Sequence, residues 1–261
     1  MHGTKWVIAA FLALAGATAR AEVKTKVIDY RQGDTALEGF LAWDDAAQGS
    51  RPGVLVIHEA WGENQHARDQ AVRLARAGYV GFALDMYGKG KVTKHLEDAK
   101  AFMAEASKDP AVVRARFEAA RKLLQAQPQV DPKKIGAVGY CFGGNVALNM
   151  ARAGEDLAAV ATFHAAIPSA DQPVPGKVKP RILINTGGDD PLVPKSQIDA
   201  FVKELKDAGA DISVITYPHA KHSFTNPEAA QAGMDALGYD ADADRKSWEA
   251  SMKMFQAAFK G

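Results

Sequence analysis

Three groups of residues in this 261-residue chain have types and spacing suited to nucleophilic chemistry. The first is Gly139-Tyr140-Cys141-Phe142-Gly143, where an apolar run stops, turns and resumes with helical spacing. The pattern predicts a strand, a sharp turn and a helix, the nucleophile elbow, with Cys where Ser is commoner. Glycines flank the turn because its central residue is strained and its neighbours must close together without Cβ atoms. Cys141 is the sole cysteine, so an intramolecular disulfide is excluded. A buried structural cysteine is the bland alternative, and the elbow context outweighs it. A thiol attacks as the thiolate, so it needs a base to take its proton and a group to orient that base. The second group, Gly188-Asp189-Asp190, offers two carboxylates, and the third, His219 and His222, offers two bases. On residue types alone either Asp fits, the other serving as a helix cap, and either His fits, the other being an ordinary loop residue. His219 and His222 are three apart, but no further His or Cys clusters with them, so a zinc site is not expected.

These groups need elements that carry them to one place. The carboxyl ends of strands in an open α/β sheet are such a place, and the apolar pattern predicts strands that end at each group. Val23–Tyr30 and Leu37–Trp43 read as an antiparallel pair joined by a short turn. Val54–Ile57 is a continuous apolar run of the buried parallel type, ending in His58-Glu59-Ala60-Trp61-Gly62. Tyr79–Leu84, the elbow strand after a turn at Val130-Asp131-Pro132, Leu157–Phe163, Arg181–Asn185 and Ile212–Tyr217 follow. Helical spacing covers Gln65–Ala77, Val92–Ser107, Ala111–Gln127, the elbow helix to Arg152, Ser196–Ala208 and Ala243–Lys260, while Pro168–Pro180 reads as a surface loop. Strands alternating with helices predict one α/β domain with a mostly parallel central sheet covered on both faces.

The N-terminus has a separate logic. A basic start, an apolar run from Trp6 to Ala17 and Ala-x-Ala endings describe a secretory signal peptide over residues 1–21. Cleavage is expected after Ala21 or after Ala19, and the apolar run is short for a membrane span of about 20 residues. The expected location is therefore the periplasm or the exterior, with residues 22–261 as the working domain. The formal charge of +1 becomes −1 without Lys5 and Arg20, which gives no support for a nucleic-acid or anionic-membrane partner. Nothing in the sequence sets an oligomeric state.

Together these stretches resemble the dienelactone hydrolase family of the α/β-hydrolase superfamily, the carboxymethylenebutenolidase-like enzymes. The matching segments are His58-Glu59-Ala60-Trp61-Gly62, Asp85-Met86-Tyr87, Gly139–Gly144, Gly187–Pro194 and His222-Ser223-Phe224, in the family's order. The resemblance implies an α/β-hydrolase fold and cleavage of an ester or lactone without cofactor or metal. It implies Cys141 as nucleophile forming a thioester, and it selects Asp190 and His222 from the open pairs. It gives Glu59 a role too: contact with the resting thiol, released when substrate binds. A carboxylate beside a thiol disfavours the thiolate by like-charge repulsion, which makes such a role chemically sensible. The backbone N–H groups of Phe142 and Ala60 are the expected oxyanion donors. The family's substrate-carboxylate arginines fall, by position, at Lys89 and Asn226, so a bidentate clamp is lost at one and all charge at the other. Trp61, Tyr87 and Phe224 are further pocket candidates. An acyltransferase using the same site, told apart by whether an added alcohol outcompetes water, and a non-catalytic binding protein with an inert Cys141 are the competing readings.

Overall fold

The computed structural model describes residues 22–168 and 175–260. The signal peptide expected over 1–21, with both cleavage positions, lies outside these residues, as does part of the Pro168–Pro180 loop. Strands β1 (Val23–Gln32) and β2 (Thr35–Asp44) form the expected antiparallel hairpin, turning at Gly33, whose φ of 55° is left-handed. The chain continues through β3 (Arg51–Ile57), α1 (Gln65–Arg76), β4 (Val80–Leu84), α2 (Leu96–Ser107) and α3 (Pro110–Gln125). After these come β5 (Val130–Tyr140), α4 (Phe142–Arg152), β6 (Ala159–Phe163), β7 (Arg181–Gly187), α5 (Lys195–Asp207), β8 (Ile212–Tyr217) and α6 (Ala241–Phe259). The eight strands make one sheet in the order β1-β2-β4-β3-β5-β6-β7-β8, antiparallel where β2 meets β1 and β4, parallel elsewhere.

Side chains alternate across a strand, so the apolar run of β3 feeds both faces. Leu55 and Ile57 join Phe117 and Leu124 of α3, Val146 and Leu148 of α4 and Phe201 of α5 in one core layer. Val54 and Val56 join Ala71 and Leu74 of α1 and Phe255 and Phe259 of α6 in the other. A strand buried on both faces carries apolar residues at every position, and all five residues of β4 and of β6 are buried.

Three local expectations differ from the structure. Val130–Pro132 is the first part of β5, paired with Arg51 and Pro52 before a register shift at Pro52/Gly53. The helix expected from Val92 begins at Leu96, because Thr93 donates its N–H to the Trp61 carbonyl (3.1 Å) and its Oγ1 accepts from the His95 N–H (3.0 Å). Between β8 and α6 a short 3₁₀ turn, Ala229–Ala232, appears where no element was expected. Among the described residues, no helix is long and apolar enough to cross a membrane.

Candidate active site

The carboxyl ends of β3, β5, β6, β7 and β8 meet around Cys141. Tyr140 ends β5, Phe142 begins α4, and Cys141 between them has φ 51° and ψ −113°. That conformation is strained for any residue with a Cβ, at about 1–3 kcal/mol, and persists only where the surroundings enforce it. They do so here. The Cys141 N–H donates to the Phe163 carbonyl (3.1 Å), and the Cys141 carbonyl accepts from Gly144, Asn145 and Ala166 (3.0, 3.2 and 3.2 Å). The Gly143 N–H donates to the His58 carbonyl (3.1 Å), tying the elbow to the loop after β3. A Cβ at Gly139 would strike the Gly143 carbonyl, and one at Gly143 would strike the Ile57 and His58 carbonyls. The two glycines let three backbone segments touch. The Cys141 side chain is half-buried.

The loops after β7 and β8 each contribute two titratable residues, and the structure sorts them into two Asp–His pairs. Asp190 Oδ2 and His222 Nδ1 are 2.8 Å apart, with both residues buried. Asp190 is fixed further by accepting the Leu192 N–H at Oδ1 (2.9 Å). Asp189 and His219 pair more loosely at 3.4 Å, with side chains 58% and 88% exposed. With Nδ1 of His222 taken by Asp190, Nε2 is the nitrogen left to face the sulfur; it is buried and has no well-aligned hydrogen-bond partner. Burial opposes a charge on His222, but the negative charge on Cys141 and the Asp190 carboxylate outweigh it and push the pKa up to about 10. The strand-end position brings Cys141, Asp190 and His222 together, and leaves Asp189 and His219 at the surface.

Glu59, 2% exposed, occupies a polar pocket beside these groups. Ser223 Oγ donates to its Oε1 and Asn226 Nδ2 to its Oε2, each at 2.7 Å. His66 Nδ1 from α1 lies 3.5 Å from Oε2, and His164 Nε2 from the end of β6 lies 4.0 Å from Oε1. His164 packs edge-on against His222, 5.1 Å between centroids, and its Nε2 is 2.9 Å from Thr225 Oγ1. Burial, with His222 and His66 nearby, holds the His164 pKa well below its usual value, so the ring is neutral. His58 is also held low by burial, its Nδ1 donating to the Glu59 carbonyl (2.6 Å) and its Nε2 accepting the Met86 N–H (3.2 Å). It clasps the loops after β3 and β4. Ser223 and Asn226 thus engage both carboxylate oxygens of Glu59, and the contact with a resting thiol that the family resemblance implies is not among these hydrogen bonds.

The pocket candidates divide. Trp61 and Asn226 line one solvent-open cleft together with Asn64, Thr93, Lys94, Glu228 and Gln231. Lys89 does not face the site, because its Nζ is drawn to Asp29 of β1 (2.6 Å) and Glu38 of β2 (3.4 Å). Phe224 is fully buried against Tyr217 and His164 in the α1/α6 core layer. Tyr87 is buried as well, packed on His58 and Phe142 with its hydroxyl donating to the Ala60 carbonyl (3.2 Å), so it supports the loop carrying Ala60. Sequence reasoning passed over His66, His164 and Thr225. A histidine on the apolar face of α1 and another directly after a buried strand were the available signals. Among the described residues, no group of three or more His, Cys, Asp and Glu side chains could hold a metal ion.

The chain as a whole has counterparts among known proteins. The solved structure m3DLH is 39% identical, with a TM-score of 0.86 over 91% of this chain and 99% of its own. A dienelactone hydrolase-like promiscuous phosphotriesterase from metagenomic libraries is 37% identical, with a TM-score of 0.87 over 92% of this chain and 100% of its own. A Synechocystis sp. protein provisionally named a carboxymethylenebutenolidase is 26% identical over 253 residues, 92% of this chain and 99% of the relative. The model of the dienelactone hydrolase family matches residues 37–259, nearly the whole described chain, and the protein belongs to that family.

Proposed function

We propose that the protein hydrolyses an ester or lactone by thiol catalysis, with Cys141 as nucleophile, His222 as base and Asp190 orienting His222. The observation that carries this reading is the buried 2.8 Å Asp190–His222 pair, whose second imidazole nitrogen is left to the sulfur of a strained elbow cysteine. The raised basicity of His222 favours an imidazolium beside a thiolate, the state from which attack begins. Cys141 Sγ adds to the acyl carbon, and the negative charge moves to the carbonyl oxygen. The N–H groups of Phe142, first in α4, and Ala60, in the loop after β3, serve as donors to that oxyanion. The Gly143–His58 hydrogen bond supports this by holding the two segments together. Collapse expels the alkoxide, which takes a proton from His222, and leaves a thioester on Cys141. His222 then takes a proton from water as it attacks the thioester, and the acid leaves as the thiol is restored.

Uncharged small esters and lactones are the substrates this site favours. Lys89 is committed to Asp29, and Asn226 carries no charge and is engaged with Glu59. The signal-peptide pattern of residues 1–21 makes the periplasm or the exterior the proposed place of action, and N-terminal sequencing of exported protein should begin at Glu22 or Arg20. Cys141→Ala tests the mechanism: activated ester hydrolysis should be abolished with the fold intact, and undiminished turnover would remove Cys141 from the reaction.

A further inference from the structure

A buried carboxylate is costly unless it is paired and hydrogen-bonded, and the mechanism just given makes no use of the groups that satisfy Glu59. Those groups come from two separate elements. The loop after β8 supplies Ser223, whose backbone is itself left-handed (φ 57°), and Asn226. Helix α1 supplies His66, with Nδ1 3.5 Å from Oε2. The His66 ring is held from behind. Its Nε2 lies 3.3 Å from both the Thr225 carbonyl and Gln70 Nε2, and its ring packs edge-on against Tyr140 at 5.3 Å. The Tyr140 hydroxyl in turn donates to Gln70 Oε1 (3.2 Å). The imidazole is thus fixed from α1, β5 and the loop after β8, with its Nδ1 edge toward Glu59.

We propose that His66 is a positioning residue: with Ser223 and Asn226 it latches Glu59 away from Cys141, arming the thiol before substrate binds. A substrate then needs no anionic group to draw the glutamate off, which fits an Asn rather than a cation at position 226. The inference rests on Cys141 being the nucleophile. Its physical basis is that a carboxylate free to approach the sulfur depopulates the thiolate, while one tied to fixed donors does not.

Because Cys141 is the sole cysteine, its alkylation by iodoacetamide in substrate-free protein reads this state directly. His66→Phe keeps an aromatic ring against Tyr140 but removes the polar edge. It should slow alkylation about tenfold, the effect of one unit in the thiolate equilibrium. Its kcat for p-nitrophenyl acetate should fall by a similar factor, with KM within about twofold. His66→Asn, which returns an amide donor near the Nδ1 position, should stay within about threefold of the native alkylation rate. Adding Glu59→Ala to His66→Phe should restore fast alkylation, which a merely structural role for His66 does not predict. Asn226→Leu, made in parallel should His66→Phe fold poorly, should show the same slow, Glu59-dependent alkylation. Native-speed alkylation in both single variants, or slow alkylation that persists once Glu59 is gone, overturns the latch. If alkylation follows the expected pattern but no ester is cleaved, the hydrolase reading fails and the latch stands. If Cys141→Ala still cleaves esters, the nucleophile assignment fails and takes the latch with it.

Discussion

His222 is pulled in two directions: burial favours the neutral ring, and the charges of Cys141 and Asp190 favour the imidazolium. The second pull wins, raising the pKa from 6.5 to about 10. A folded-state value above the unfolded one means that this contribution to stability is fully present below about pH 6.5 and is lost as pH rises through about 10. Cys141→Ala removes the larger of the two raising charges, so the His222 titration followed by NMR should move clearly below that of the native protein; an unmoved titration would place the sulfur out of contact. Asp190→Asn keeps the shape but invites the wrong imidazole tautomer, and should lower kcat about 10³-fold or more with little change in fold. At this scale the sequence was informative where chemistry and order coincide, as in Cys141, the Gly188-Asp189-Asp190 turn and the two histidines. Residue types left the choice within each pair open; the family resemblance selected Asp190 and His222, which are the buried members. The placement of Lys89 and Phe224 was not legible either, since Asp29, sixty residues earlier in the chain, draws Lys89, and Phe224 packs against His164 and Tyr217.

Among elements, the elbow depends on the loop after β3 as much as on its own strand and helix. Gly143 is the point of contact, with its N–H on the His58 carbonyl and no room for a side chain. Gly143→Ala should therefore cost about 1–3 kcal/mol in chemical unfolding, and should lower kcat by pushing Ala60 away from Phe142. Native activity in a destabilised variant would show that the two segments do not share an oxyanion site. The strand–helix alternation was legible because parallel strands buried on both faces read as unbroken apolar runs and each helix carries its own period. The segment Val92–His95 was not. There the Thr93 N–H bonds the Trp61 carbonyl across more than thirty residues, and no periodicity encodes such a partner.

At the scale of the whole molecule, charge is nearly balanced, at +1 for the full chain. Long-range steering of charged substrates should accordingly be weak. For an uncharged ester and its carboxylate-bearing analogue alike, kcat/KM should change less than about twofold between low and physiological salt, and the uncharged ester should be the better substrate. A steep salt dependence with the anionic analogue would reveal a cationic funnel around the cleft. The fold also places two pairs of the same side-chain types on the same two loops: Asp190 with His222 in the interior and Asp189 with His219 at the surface. The protein thus contains its own reference standard. In one sample an imidazole-acylating reagent meets both rings at once, so their relative labelling compares an enclosed Asp–His pair with an open one under identical conditions.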